Sequence, residues 1–112
     1  MKTLPPPPKV FHDGKIVTPL PPTRELWMIV IARFSRCELF PDRTTMGIGA
    51  ALAYANYALK GPAGLEIVTL NDEHLDAALA DIRASVPMPT LVVLGEYLAQ
   101  AIAATNNFET WP

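Results

Sequence analysis

The sequence predicts an α/β fold: a small, mainly parallel three-stranded sheet in the order β-α-β-α-β-α, preceded by a proline-rich arm and an N-terminal β-hairpin. Three short runs, at residues 26–32, 65–70 and 90–94, are rich in Val, Ile and Leu. Such runs are typical of strands covered on both faces. The segments that follow them repeat apolar residues at helical spacing. Alternating strands and helices pair in parallel through right-handed crossovers, which gives the predicted sheet.

The arm and the hairpin occupy residues 1–25. Seven of the 12 prolines lie within the first 22 residues, and consecutive prolines adopt the extended polyproline II conformation. Asp13-Gly14 stands between two short apolar runs, which is a strong hairpin signal because glycine tolerates the positive φ of the turn. We therefore expect a stiff arm followed by a hairpin over Lys9 to Val17.

The run from Leu26 to Ala32 is predicted to be the central strand. It contains no charge and no hydroxyl group, and it is too short to span a bilayer. Because it does not alternate between apolar and polar residues, both of its faces should be covered. Ile29→Asp should then abolish folding, since it would bury an unpaired charge.

A long helix should follow over residues 44–60. One apolar stripe passes through Ile48, Leu52 and Leu59, and a second lies beside it. A helix that is apolar on nearly all sides is expected to be buried on more than one side. Gly61, followed by a proline, ends this helix, because glycine adopts the left-handed cap conformation and proline cannot continue the helix.

Two further helices are predicted in the second half of the chain. Asn71 should cap the first of them, whose opening turn carries two carboxylates that suit the positive end of the helix dipole. Pro87 should end it. After the third strand, Gly95 should turn the chain directly into a last helix over residues 96–105.

The length of 112 residues fits one domain. We expect an α/β domain over residues 26–107 and an aromatic tail over 108–112. The net charge of −2 gives no reason to expect nucleic acid. Residues 1–60 carry a balance of +4 and residues 61–112 one of −6. Either the folded chain mixes these halves in space, or a dipolar surface favours head-to-tail contacts or a charged partner.

Cys37 is the single cysteine, which excludes an internal disulfide and a cysteine-based zinc cluster. Met1-Lys2 is followed by prolines where a signal peptide would have its apolar region. No run has the length of a membrane helix in this interpretation. The expected location is therefore the cytoplasm after synthesis, with later incorporation into a larger particle left open.

The middle of the chain, residues 26–94, resembles the thioredoxin fold. A buried strand leads into a loop with Cys37 and then a long helix, and Met88-Pro89-Thr90-Leu91 is similar to the family's cis-proline segment before its third strand. The resemblance implies architecture only. Phe40 stands where a C-x-x-C motif has its second cysteine, and Gly95 opens a helix where the family continues with paired strands.

Cys37 is also the one candidate catalytic residue. Arg33, Arg36 and Arg43 surround it in sequence, and positive neighbours stabilise a reactive thiolate. Nearby acids, among them Glu38, offset that field. The alternatives are therefore a reactive thiol and an ordinary loop cysteine.

Metal and cofactor sites are not expected. His12 and His74 are far apart in sequence, and nothing in their spacing places two ligands on one face. Residues 47–52 nearly match a dinucleotide-binding glycine motif. More than ten residues separate them from the preceding strand, and Leu52 fills the third glycine position, so helix packing is the better interpretation.

The favoured function is a non-enzymatic interaction or assembly subunit of a larger complex, a viral particle included, with a protein or a second copy as the partner. The alternatives are a thiol-dependent enzyme or redox sensor that uses Cys37, and a small-ligand binder at the carboxyl ends of the strands. The aromatic residues of the tail could instead fold onto the chain's own core. The predicted partner-binding residues are Pro5, Pro6, Pro7, Pro8, Phe108 and Trp111.

Overall fold

A computed structural model describes residues 4–34, 43–105 and 111–112. Two short strands, β1 (Val10–His12) and β2 (Lys15–Val17), are followed by helices for most of the remaining described chain. The α-helices and the single 3₁₀ segment found in these ranges are α1 (Arg24–Phe34), α2 (Arg43–Lys60), the 3₁₀ segment (Gly61–Thr69), α3 (Asp72–Ser85) and α4 (Met88–Thr105).

The predicted α/β fold class is wrong. In the described ranges the one sheet is the antiparallel pair β1–β2, and no three-stranded parallel sheet is present. The runs at 26–32 and 90–94 lie in α1 and α4, and residues 65–69 of the third run lie in the 3₁₀ segment. The three predicted strands are therefore helical over these residues, and the peptide bond before Pro89 is trans.

Helix α1 occupies the run that was predicted to be the central strand, and its start is capped. Thr23 Oγ1 accepts a hydrogen bond from Leu26 N at 3.1 Å, and Thr23 O accepts the first helical bond from Trp27 N at 3.0 Å. This is N-cap geometry. Leu26 and Val30 are buried four positions apart, whereas Met28 is exposed. The run thus buries one helical stripe, and a short apolar run by itself does not distinguish that from a covered strand.

Helix α4 merges the predicted third strand and last helix into one element. Its first helical bond joins Leu91 N to Pro87 O at 3.1 Å. Pro89 fits in the first turn, where a missing N–H costs nothing. Gly95 continues the helix instead of turning it, and a Cβ built there would lie 3.9 Å from Ala51 Cβ on α2.

The hairpin, α2 and α3 confirm the predictions for those parts of the chain. The hairpin turns at Asp13 and Gly14, with φ of 53° and 79°. Helix α2 ends before Gly61, which adopts a φ of 77°. Asn71 caps α3, because its side-chain oxygen accepts a hydrogen bond from His74 N at 2.9 Å. Each of these signals acts within one turn of chain.

Helix α2 is the centre of the molecule and contacts α1, α3, α4 and the 3₁₀ segment. Helices α2 and α4 run in the same direction, because Ala51 faces Gly95 and, three residues further along α2 and two further along α4, the ring of Tyr54 lies 6.2 Å from that of Tyr97. The apolar core includes these two tyrosines together with Leu26, Val30, Ala53, Val68, Leu75, Leu79, Ile82, Leu94, Leu98, Ala101 and Trp111.

The 3₁₀ segment packs unusually close to α2. A Cβ on Gly64 would lie 2.8 Å from Tyr57 Cα, closer than real side chains come. The buried Asn56 side chain donates a hydrogen bond from Nδ2 to Gly64 O at 3.2 Å. The absence of a side chain at Gly64 therefore sets the distance between the two elements.

Candidate functional site

The predicted site residues fall into three groups in the structure. Cys37 and Phe108 lie outside the described residues. Pro5, Pro7 and Pro8 are half-buried against the chain itself and Pro6 is exposed. Trp111 is 4% exposed and belongs to the apolar core of the same chain.

The proline-rich arm forms a strap, residues 4–22, that is held by two buried tyrosines. The hydroxyl of Tyr97 on α4 donates a hydrogen bond to Pro5 O at 2.8 Å. The hydroxyl of Tyr54 on α2 donates one to Leu20 O, also at 2.8 Å. The strap therefore crosses the parallel pair α2–α4 and is fixed near both of its ends.

These two hydroxyl groups are suited to holding the strap and not to acid–base chemistry. Burial raises the pKa of Tyr54 well above its ordinary value, and the neighbouring Tyr97 and Tyr57 raise it further. Burial also raises the pKa of Tyr97. Both groups stay protonated near neutral pH, so both remain hydrogen-bond donors.

The end of the tail packs on α1 and α4. The rings of Trp111 and Trp27 have centroids 5.8 Å apart at an interplanar angle of 53°. Trp111 Nε1 donates to Thr105 Oγ1 at 2.9 Å, and the Thr105 hydroxyl donates to Ala101 O at 2.7 Å. A buried indole with a satisfied N–H is a stable core group in this chain.

Arg33 joins the last turn of α1 to the start of α3. Its guanidinium forms an ion pair with Asp72 and donates a hydrogen bond to Leu70 O at 3.0 Å. Both side chains are partly exposed, so the pair contributes roughly 1 kcal/mol or less. Because this guanidinium already has a partner, it is not available as a free cation.

Potential metal ligands do not gather in the part of the chain that the structure describes. Within residues 4–34, 43–105 and 111–112, no cluster of three or more His, Cys, Asp or Glu side chains could hold a metal ion. His12 lies in the hairpin and His74 in the first turn of α3, on different elements. His12 Nδ1 is buried and has no hydrogen-bond partner among the residues that the structure describes.

Large apolar side chains remain exposed at many points of the described surface. Isolated ones are ordinary, but a group of them around a concave surface marks an interaction site. The exposed ones are Phe11, Ile16, Leu20, Met28, Ile31, Ile48, Met88, Val92 and Ile102. Three of these, Ile48, Met88 and Val92, line one groove.

This α2/α4 groove lies between the N-terminal halves of α2 and α4 and has a volume of about 210 Å³. Ile48, Met88 and Val92 are 48%, 54% and 49% exposed along it. It is lined by Ile48, Ala51, Leu52, Arg83, Met88, Leu91 and Val92. Half-exposed side chains on its walls and the small Ala51 between them leave room for apolar groups of another molecule.

Two other cavities are larger but more polar. One of about 760 Å³ opens at the start of α1, where Thr23, Arg24 and Glu25 contribute to its lining. Another, of about 310 Å³, is lined in part by Lys60, Glu66 and Asp81. The α2/α4 groove is lined by six apolar residues and one charged one, which fits a protein-docking surface better.

Helix α4 has the length and composition that crossing a membrane requires. Its 18 residues, Met88–Thr105, have a mean hydropathy of 1.2, and 33% of them are buried. The sequence analysis predicted no run of this length, because it assigned residues 90–94 to a strand and residues 96–105 to a separate helix. Core helices of soluble proteins meet the same criterion, so this property alone does not assign a membrane role.

The described part of the chain therefore forms a small helical domain with an N-terminal strap and an apolar groove. No family model, curated protein or solved structure matches this chain.

The sequence analysis did not identify the groove. It placed Ile48 and Leu52 on an apolar helical stripe, which is where they lie. It missed Met88 and Val92 because residues 90–94 were interpreted as a strand. Pro89 was the available signal, since proline is favoured in the first turn of a helix, and the spacing of Met88 and Val92 then puts both on one face.

Proposed function

We propose that this protein is a non-enzymatic interaction or assembly subunit that binds a partner protein in the α2/α4 groove. The observation that carries the proposal is the convergence of Ile48, Met88 and Val92, each about half exposed, on one concave surface. Binding would remove these side chains from water at roughly 25 cal/mol for each Å² of apolar surface covered.

The location of the strap and the tail supports this choice of surface. Pro5 and Trp111 make their contacts within the chain, so they already bury surface against the helices. The exposed side chains of the groove, in contrast, are not covered by the part of the chain that the structure describes. The docking surface is therefore assigned to the groove and not to the two ends of the chain.

The groove assignment is tested with tagged full-length protein expressed in its native host. Complexes isolated under native conditions are sized for the wild type, for Val92→Asp in the groove, and for Ile16→Asp on the exposed hairpin. We expect the wild type and the hairpin variant in a complex larger than one chain, and the groove variant as a free chain with an unchanged thermal midpoint.

Two results would contradict the proposal. If the wild type itself migrates as a free single chain at its native concentration, the protein is not a subunit of a stable complex. If Val92→Asp remains in the complex as fully as Ile16→Asp does, the complex does not depend on the α2/α4 groove.

A further inference from the structure

Positive charge lies at one end of the α2/α4 groove. The first turn of α4 contributes Met88 and Leu91 to the lining, and a helix N-terminus carries the equivalent of about +0.5 elementary charge, which acts within that turn. The exposed Glu96, one turn beyond Val92, lies outside the lining. Arg83 is the only charged residue in the groove lining. It lies in the last turn of α3, where its charge more than offsets the negative end of that helix.

The start of α4 also presents an unsatisfied hydrogen-bond donor. The residue before the helix is Pro87, whose side chain has no oxygen with which to cap it. Pro89 has no N–H to satisfy. Among the described residues, the backbone N–H of Met88 meets no acceptor, and Met88 is 54% exposed. An acceptor supplied from outside, and above all an anionic one, would satisfy this N–H.

The size of the groove favours a short helical segment over a second copy of the chain. A stable symmetric dimer buries about 800 Å² on each copy, and three half-exposed side chains supply only a fraction of that. A groove between two parallel helices accommodates the apolar stripe of a third helix, whose residues recur every three or four positions.

We infer that the α2/α4 groove binds an acidic amphipathic helix of the partner protein. The helix would place its apolar stripe against Ile48, Met88 and Val92. Its Asp or Glu carboxylates would face Arg83 and the free backbone N–H of Met88 at the start of α4. This inference rests on the proposed function and specifies the chemistry of the partner.

The test is a selection from a display library of random 16-residue peptides on the immobilised full-length protein. We expect enriched peptides with apolar residues at helical spacing and a net negative charge. Their affinity, measured by calorimetry, should fall at least about tenfold for Val92→Asp. It should fall about tenfold for Arg83→Glu, the usual scale for a lost charge-assisted hydrogen bond, and less for Arg83→Met. Ile16→Asp, the control on the hairpin, should bind like the wild type.

The competing outcomes are distinguishable. Enriched peptides that are neutral or basic, or that bind Arg83→Glu as well as the wild type, would overturn the acidic partner and leave the groove as a docking surface. No enrichment, or enrichment insensitive to Val92→Asp, would overturn this inference as well. Native complexes that are nevertheless lost in the Val92→Asp variant would then leave the proposed function standing.

Two further measurements test other occupants of the groove. Binding to phosphatidylserine-containing vesicles that Val92→Asp abolishes would assign the groove to a lipid surface instead. Concentration-dependent dimerisation that is sensitive to Val92→Asp would assign it to a second copy.

Discussion

Tyr97 donates a hydrogen bond from its hydroxyl to the carbonyl oxygen of Pro5 at 2.8 Å, although the two residues are 92 positions apart in sequence. Nothing local to either residue predicts this contact. It turns a proline-rich segment that would otherwise extend into solvent into a strap across α2 and α4. Since proline already restricts the backbone, fixing this segment costs less conformational entropy than fixing an ordinary peptide.

Tyr97→Phe should release the strap while leaving the helices folded. Losing one buried hydrogen bond costs about 1 kcal/mol of unfolding free energy. Trypsin cleavage after the exposed Lys9 should become faster, because the strap opens more often. Tyr57→Phe is the matched control, since the Tyr57 hydroxyl has no hydrogen-bond partner among the described residues. Equal cleavage rates in both variants would mean that the Pro5 contact does not hold the strap.

Alkaline pH should destabilise the protein through the same tyrosines. In the unfolded chain a tyrosine ionises near pH 10, whereas burial raises the folded-state pKa of Tyr54 and Tyr97. Their contribution is fully present below about pH 10 and is lost as pH rises from there through the raised folded values. Urea unfolding between pH 8 and 11 should show this decline. A decline that is equally steep in the double variant Tyr54→Phe, Tyr97→Phe would assign it to other groups.

Gly64→Ala should lower the unfolding free energy by about 1–3 kcal/mol, as overpacking does. The added Cβ would lie 2.8 Å from Tyr57 Cα, and a backbone atom cannot move aside cheaply. Gly95→Ala is the control, because its Cβ would meet Ala51 at an ordinary 3.9 Å inside α4. That variant should be unchanged or up to about 1 kcal/mol more stable. Chemical denaturation that ranks the two variants the other way would contradict the observed packing.

Trp111→Ala should destabilise the isolated chain by about 3–5 kcal/mol, the range for removing a large buried aromatic. Its ring packs on Trp27 and its indole N–H is bonded to Thr105. Met28→Ala, at an exposed position on α1, should change stability by less than about 0.5 kcal/mol. A Trp111→Ala variant that melts like the wild type would return this residue to the role of an external anchor.

Substitutions along α1 distinguish a helix from a covered strand. Val30 is 1% exposed and Ile31 is 42% exposed. In the structure Val30→Asp buries an unpaired charge and should unfold the chain, whereas Ile31→Asp should be tolerated. Ile29 is half-buried in the structure, so Ile29→Asp does not distinguish a helix from a strand as clearly as this pair does. Circular dichroism and thermal melting that show both variants unfolded would favour a strand covered on both faces.

The correct predictions came from signals that act within a few residues. Asp13-Gly14, Gly61 and Asn71 each fix the backbone of one turn through φ preference or capping. The α2 boundaries follow from 18 residues of uninterrupted helical spacing that end at such a signal. These features depend on little outside the segment, so the residues alone determine them.

The strand predictions for the apolar runs at 26–32, 65–70 and 90–94 rested on composition and not on a comparable local signal. A run of five to seven apolar residues buries equally well as a covered strand or as one stripe of a helix. Thr23 and Pro89 were the local signals for helix starts. The choice is settled by the surface available for packing, and here that surface is α2.

The sequence by itself determined the hairpin, α2, the cap of α3 and the helical stripe that contains Ile48 and Leu52. The tertiary structure alone decided the parallel pairing of α2 and α4, the path of the strap, and the burial of Trp111. It also decided that Met88 and Val92 complete a groove with Ile48. The physical reason is range: turn and cap preferences act over three or four residues, whereas burial depends on which distant surfaces meet.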